Sequence, residues 1–227
     1  MSITQVAENL YQISLGGVNA FLIDKNDLVL VDTGIPGSTN EIIAAIESIG
    51  RQRNDLGHIL VTHSHPDHAG SLAALKQLTG AVAYMHPLET AITETGKLTQ
   101  DMTPAPGMEE MFKQFIGFGS SEYEPAKVEH QVNDGEELPV AGGLTGIHAP
   151  GHSVGQIVFL WKQHGGVLFA ADTCSNMMGL GYSLGYRDFE EGMRTLSRLS
   201  KLEFQIACFG HGAPILQDAS QMFSQKW

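Results

Sequence analysis

Residues 59 to 70 read ILVTHSHPDHAG and set His63, His65, Asp67 and His68 within six positions, directly after a run of β-branched and apolar residues. Imidazole nitrogens and carboxylate oxygens at that density form a donor set for divalent metal, zinc first, with iron or manganese also suited. A lone His-x-His pair is weak, because histidine pairs recur in loops for many reasons. His-x-His-x-Asp-His at a strand end is far more specific. The spacing has a geometric reason. His63 and His65 lie two apart in an extended segment, where a period of two points both side chains the same way. Pro66 suits the first position of a helix, so Asp67 and His68 fall in a first helical turn and aim at a neighbouring point. One ion can take His63, His65 and a third imidazole from another loop. A second can take Asp67, His68 and one more imidazole.

The other metal-capable residues are spread along the chain in a pattern. His152 follows the strand GIHAPG, Asp172 ends VLFAA, His211 ends IACFG and Asp32 ends LVLV. Each therefore falls at the C-terminal end of a strand, the edge where open α/β sheets build their sites. Asp172 has two oxygens and can bridge both ions. His58, His86, His130, His148 and His164 stand outside this set, and at the end of its strand His86 reads as a cap or surface residue. Asp32 suits a helix-entry turn as well. Two divalent ions about 3.5–4 Å apart hold one water between them and lower its pKa from about 15.7 toward about 7. The expected chemistry is hydrolysis by that bridging hydroxide, with Asp67 placed to orient it or to take its proton. No serine or cysteine nucleophile is needed.

Strands and helices must alternate to bring those ends together. Residues 7–34 carry short alternating and apolar runs broken by Gly17 and an Asn26-Asp27 turn, which predicts antiparallel strands. STNEIIAAIESIG follows with Ile42, Ile43, Ile46 and Ile49 at helical spacing, Ser38 or Thr39 as the cap and Gly50 as the stop. DLGHILVTH is a strand, AGSLAALKQLTG a helix and AVAYMHP a strand, an α/β alternation. From about 88 to 129 the pattern loosens, with Pro104, Pro106, Gly107, Gly117 and Gly119 interrupting weakly helical pieces such as MEEMFKQFI. An insertion of this length is either a satellite helix or a lid over substrate. GGLTGIHAP, QIVFLWK and GVLFAADT resume the strands, and the helix DFEEGMRTLSRLSKL leads to a last strand, FQIACFGHG. LVLVDTG and VLFAADTC are alike, which is what two related halves stacked face to face would give.

Composition bounds the rest. The 227 residues are 42% apolar and carry 25 acidic against 13 basic side chains, for a net charge of −12. One domain over residues 1–227 is expected, with no low-complexity or Ser/Gly linker to divide it. The acidic balance, without a basic stripe, disfavours nucleic acid as a partner. Apolar runs fall far short of a membrane span of about 20 residues, and no export signal is visible at the N-terminus. Cys174 and Cys208 make at most one bridge, so a reducing cytoplasm is expected. A small molecule is the expected partner. The sequence does not choose between a single chain and a homodimer.

THSHPDHAG followed by APGHSVG, AADT and FGHG resembles the metallo-β-lactamase superfamily, over about residues 8 to 215. That resemblance implies an α/β fold in four layers, an αββα sandwich. It implies that His63, His65 and His152 hold the first metal, that Asp67, His68 and His211 hold the second, and that Asp172 bridges. Asp32 would fix a ligand imidazole from outside. Departures narrow the substrate. The β-lactamases of the superfamily lack an aspartate at the bridging position. Glyoxalase II has a C-terminal helical domain, whereas this chain ends soon after His211. The acyl-homoserine lactonases have a tyrosine three residues past the bridging aspartate, where this chain has Ser175, leaving Tyr182 or Tyr186 to reach that place. The basic arm of the tRNA-processing members is missing. A hydrolase of a small carboxylic ester, thioester or lactone is therefore expected. Two other readings stay open: an oxidoreductase resembling the mononuclear iron persulfide dioxygenases, which would use His63, His152 and Asp172, and a zinc-binding protein without turnover.

Overall fold

The structure, a computed structural model, describes residues 2–98, 101–116 and 121–227. The interruptions expected at Gly117 and Gly119 lie outside the described residues. In chain order the first half runs β1 (Ser2–Ala7), β2 (Leu10–Ser14), β3 (Asn19–Lys25), β4 (Asp27–Val31), α1 (Thr39–Ser48), β5 (Leu56–Leu60), α2 (Pro66–Ala69), α3 (Leu72–Thr79) and β6 (Val82–Met85). The loosely patterned stretch supplies α4 (Pro87–Thr95), β7 (Thr103–Pro104) and α5 (Glu109–Ile116), and then β8 (His130–Gln131). The second half contains β9 (Glu137–Leu138), β10 (Leu144–His148), β11 (Ile157–Trp161) and β12 (Val167–Ala171). The short strands β13 (Cys174–Ser175), β14 (Gly181–Tyr182) and β15 (Gly185–Tyr186) precede α6 (Phe189–Leu199), β16 (Ile206–Phe209) and α7 (Ala219–Lys226).

Two large sheets result, in the orders β1-β2-β3-β4-β5-β6-β8 and β16-β12-β11-β10-β9. Residue alternation on each strand determines what lies between the layers. In β4, Leu28 and Leu30 face α1 and α3, where they join Ile42, Ile46, Leu72 and Leu75. Val29 and Val31 face the other sheet and join Phe159, Trp161, Val167 and Phe169. In β12, Leu168 and Ala170 turn to the opposite side and pack with Leu196, Leu199 and Phe223 of the C-terminal helices. Three apolar layers between four layers of elements give the expected αββα sandwich. Each fully buried Val, Leu or Phe contributes about 1.5–3 kcal/mol by its removal from water.

The echo between LVLVDTG and VLFAADTC has a structural counterpart. Strands β3 and β4 are antiparallel, a helix follows, and β5 returns parallel to β4. Strands β11 and β12 are antiparallel, α6 follows, and β16 returns parallel to β12. Asp32 and Asp172 close equivalent strands, and His63 and His211 follow the equivalent returning ones. Docked face to face, the two units bring these chain segments to one rim.

The insertion is anchored beside that rim. β7 pairs with β15, Gly185 opposite Pro104, and the Ala105 N–H donates to the Leu184 carbonyl at 2.9 Å. A Cβ at Gly185 would lie 2.3 Å from a ring carbon of Phe112, so α5 rests directly on this strand. Among the described residues no helix is long and apolar enough to cross a membrane.

Candidate metal centre

β5 delivers the chain to Leu60, and Pro66 starts α2, with His65, extended in its backbone, as the N-cap. The connecting residues bring His63 and His65 together, and their Nε2 and Nδ1 atoms lie 3.0 Å apart. His152, from the loop between β10 and β11, places Nε2 3.0 Å from the same His65 Nδ1. All three side chains are buried. Asp67 and His68 lie in the first turn of α2, and the His68 ring sits 4.2 Å from that of His63, so the two donor groups adjoin. His68 Nε2 is 3.7 Å from Asp67 Oδ2, and His211 Nε2 is 3.3 Å from that oxygen. Donor atoms within each group, His63/His65/His152 and Asp67/His68/His211, lie within 4.8 Å of one another.

Asp172 stands between the two groups. Its Oδ1 is 3.4 Å from His68 Nε2, and its Oδ2 is 3.2 Å from His211 Nε2 and 3.7 Å from His152 Nε2. The structure thus brings together all seven residues singled out in the sequence. Asp32 sits just behind them. Its Oδ2 accepts from His68 Nδ1 at 2.9 Å and from the Thr62 hydroxyl at 2.9 Å, and its Oδ1 accepts from the Thr62 N–H at 2.8 Å.

The outward-facing ring nitrogens set the tautomers. His152 Nδ1 donates to the Gly185 carbonyl at 2.8 Å, and His211 Nδ1 to the Gly17 carbonyl at 2.7 Å. A carbonyl only accepts, so each ring carries a proton on Nδ1 and turns its Nε2 to the centre. His63 Nδ1 lies 3.0 Å from Thr62 Oγ1, which itself donates to Asp32. Such outer contacts orient ligands and raise their basicity. Thr62 therefore does more than satisfy backbone groups. Asn19 holds the His211 loop through Nδ2, which donates to the Phe209 and Gly212 carbonyls at 3.0 and 2.8 Å. Gly17, Asn19 and Gly185 carried no signal in the sequence, since backbone carbonyls and a lone asparagine look alike wherever they occur.

Electrostatics divide the centre. Burial pushes the His63 imidazole well below its ordinary range, helped by the neighbouring His68, His65 and His152 rings. Burial and then His152 take His65 down to about 3, and burial also lowers His152. Three neutral rings are in the form a metal requires. For His68, burial opposes protonation but Asp67, Asp172 and Asp32 outweigh it, raising the group to about 9. His211 is likewise raised by Asp172 and Asp67 against the pull of burial. Asp67 and Asp172 are held below the usual carboxylate range, because His68 and His211 overcome a burial effect that would raise them.

Several observations fit this set to metal. His63 Nε2 and His152 Nε2 both lie 3.0 Å from His65 Nδ1, whose single proton could serve only one of them, so at least one inward lone pair lacks a proton and is open to a cation. His68 Nε2 and Asp172 Oδ1 are buried without a hydrogen-bond partner. Gly210 leaves their approach open, for a Cβ there would lie 2.1 Å from Asp172 Oδ1 and 2.7 Å from His68 Cε1. Five imidazoles and two carboxylates, with no thiolate, suit zinc, iron or manganese.

Residues outside the centre sort as follows. The Tyr186 hydroxyl, expected as a candidate to reach the substrate side, is fully buried and donates to the Thr173 carbonyl at 2.7 Å. It is a structural strut, because a phenol beneath two strands must spend its donor on backbone. Tyr182 stays half-buried and packs edge-on against Phe189. Cys174 and Cys208 are buried free thiols, and burial pushes Cys174 up to about 12. His86 caps α4, its Nδ1 accepting from the Leu88 N–H, and stacks on His148 at 4.2 Å.

Comparison with known proteins agrees with this geometry. The family model described as metallo-beta-lactamase superfamily matches residues 13–211. A Bacillus subtilis protein, "Uncharacterized protein YobT", is 31% identical over 169 residues, covering 73% of this chain and 66% of its own length. A Pseudocercospora fijiensis protein named as an atrochrysone carboxyl ACP thioesterase is 25% identical over 213 residues, covering 92% and 52%. This chain thus spans between about half and two thirds of these relatives. BJP-1, a subclass B3 metallo-beta-lactamase of Bradyrhizobium japonicum, superposes with a TM-score of 0.73 at 22% identity, covering 100% of this chain and 92% of that one. That likeness carries the fold. From the match over residues 13–211 and the four-layer architecture, the chain belongs to the metallo-beta-lactamase superfamily.

Proposed function

We propose that this protein is a dinuclear metallo-hydrolase that cleaves a small carboxylic thioester, ester or lactone, with a thioester the preferred class. The observation that carries the reading is the pair of donor groups joined by Asp172, with ring nitrogens turned inward. His63, His65 and His152 would hold one divalent ion, Asp67, His68 and His211 the other, and Asp172 would touch both. Zinc is the expected metal. Ions held there supply Lewis acidity for the substrate carbonyl and lower the pKa of coordinated water toward about 7.

The protein's own groups do the rest. Asp32, Thr62 and the carbonyls of Gly17 and Gly185 hold the rings so that little reorganisation accompanies reaction. Asp67 is 37% exposed in its side chain, against 6% for Asp172. It stands at the open side of the centre, where its outer oxygen can accept a proton from the attacking water. An Asp67→Ala change should lower kcat by about 10²–10⁴-fold.

A thioester is preferred because one relative is named as a carrier-protein thioesterase. The net charge of −12 disfavours polyanionic substrates and nucleic acid as a partner. The test combines metal analysis of protein purified without added metal with a screen of thioesters, lactones and phosphodiesters. Two ions per chain and turnover of thioesters are expected. A single ion that titration cannot double, or iron-dependent oxygen uptake with a persulfide, would overturn the reading.

A further inference from the structure

Glu89 is a fully buried carboxylate in the first turn of α4, outside the seven residues of the centre. Its Oε2 accepts from the Ser64 N–H at 3.0 Å and from the Ser64 hydroxyl in a short contact. Its Oε1 accepts from the Gly155 N–H at 2.8 Å. Ser64 separates His63 from His65, and Gly155 lies three residues past His152. One carboxylate therefore fastens together the two loops whose three imidazoles converge. The remaining polar group of Ser64, its carbonyl, accepts from the Tyr123 hydroxyl at 2.8 Å. Every polar atom of Ser64 is thus engaged by residues of the 88–129 insertion.

The fit is close. A Cβ at Gly155 would lie 2.9 Å from Glu89 Cγ and 2.9 Å from His86 Nδ1, so the His152 loop packs directly on the start of α4. A buried carboxylate is retained at a cost unless donors surround it, and charge-assisted hydrogen bonds are about twice as strong as neutral ones. Glutamine would not serve in its place. It offers a single acceptor and turns an NH₂ donor toward N–H and O–H groups that need an oxygen.

We propose that Glu89 is the positioning residue of the His63/His65/His152 pocket, its carboxylate holding the 63–65 turn and the His152 loop at the spacing a metal ion requires. Its bonds from Ser64 and Gly155 belong to the turn and loop that carry His63, His65 and His152. The insertion then braces one ion site of the two. This assignment rests on the metal-centre reading but not on the reaction.

The experiment is cobalt titration of the full-length wild-type, Glu89→Gln and Ser64→Ala proteins against a competing chelator, with the cobalt absorption spectrum distinguishing the two pockets. For Glu89→Gln the affinity of the three-histidine pocket should fall by about 10–100-fold, the usual scale for losing an outer contact, while the other pocket keeps wild-type affinity. Ser64→Ala removes only the hydroxyl contact and should cause a smaller loss at the same pocket. Unchanged cobalt binding in a folded Glu89→Gln protein, or equal weakening at both pockets, would overturn the assignment. Should Glu89→Gln not fold, Ser64→Ala decides: selective weakening supports the role and wild-type affinity refutes it. A wild-type protein that took up no cobalt would overturn this assignment and the metal-centre reading together. Two cobalt ions with the selective response but no thioester, ester or lactone turnover would sink only the proposed reaction.

Discussion

Asp32 Oδ2 and His68 Nδ1 lie 2.9 Å apart, and the same oxygen receives the Thr62 hydroxyl, whose own oxygen is 3.0 Å from His63 Nδ1. One carboxylate behind the centre thus governs a ring in each donor group. Asp32 also adopts a left-handed backbone, φ 61°, which asparagine tolerates better than alanine. Asp32→Asn keeps the shape and loses the charge. It should weaken metal binding by about 10–100-fold, more at the Asp67/His68/His211 group than at the other. Chelator competition measures this, and wild-type affinity for both ions would count against the role.

Gly210 is the second position to test. Its hydrogen faces Asp172 and His68, and a methyl group would meet both below 3.0 Å. Gly210→Ala should force Asp172 out of place and cost about 1–3 kcal/mol through overpacking, with loss of at least one ion per chain. Gly57→Ala is the control, since nothing lies within 4 Å of a Cβ there. Metal analysis and thermal unfolding of the pair make the comparison. Equal metal content would refute the steric argument.

Proton competition gives a third. Without metal, His68 keeps its proton up to about 9, and His211 also holds one well above 6.5. Raised pKa values contribute stability that is fully present below 6.5, the unfolded value, and is lost as pH rises through about 9. Metal must displace those protons. Zinc uptake at neutral pH should therefore release protons, and the stabilisation by saturating zinc should grow between pH 6.5 and about 9. Calorimetry in buffers of different ionisation enthalpy, with melting curves of loaded and stripped protein, tests both. Metal uptake without proton release would contradict it.

What the sequence made legible follows from how each group earns its place. Candidate metal ligands are polar residues crowded at the ends of apolar strands, so His63, His65, Asp67, His68, His152, Asp172 and His211 stood out against their surroundings. The sandwich was legible from alternation, as β4 illustrates, with Leu28 and Leu30 on one face and Val29 and Val31 on the other. Glu89 and Tyr123 were not legible, because they sit in a weakly patterned stretch and act through Ser64 across 25 and 59 residues of chain. Tyr186 stood as a candidate for the place of the lactonase tyrosine for want of any sign that the Thr173 carbonyl would take its hydroxyl proton. Helix α7 escaped notice because ASQMFSQK has little periodicity of its own. It is held by Phe223, which packs against Phe204 and Trp227.

The two donor groups are unequally shielded. His63, His65 and His152 are at most 6% exposed, whereas the side chains of His211 and Asp67 are 15% and 37% exposed. Exchange with the surrounding fluid would then run through one side, so two bound ions should differ in residence time. An ion at Asp67 should leave first, and its partner only after the doorway has emptied. Isotope exchange on the loaded protein should resolve a fast and a slow phase of equal amplitude. A single phase would mean that both ions share one exit.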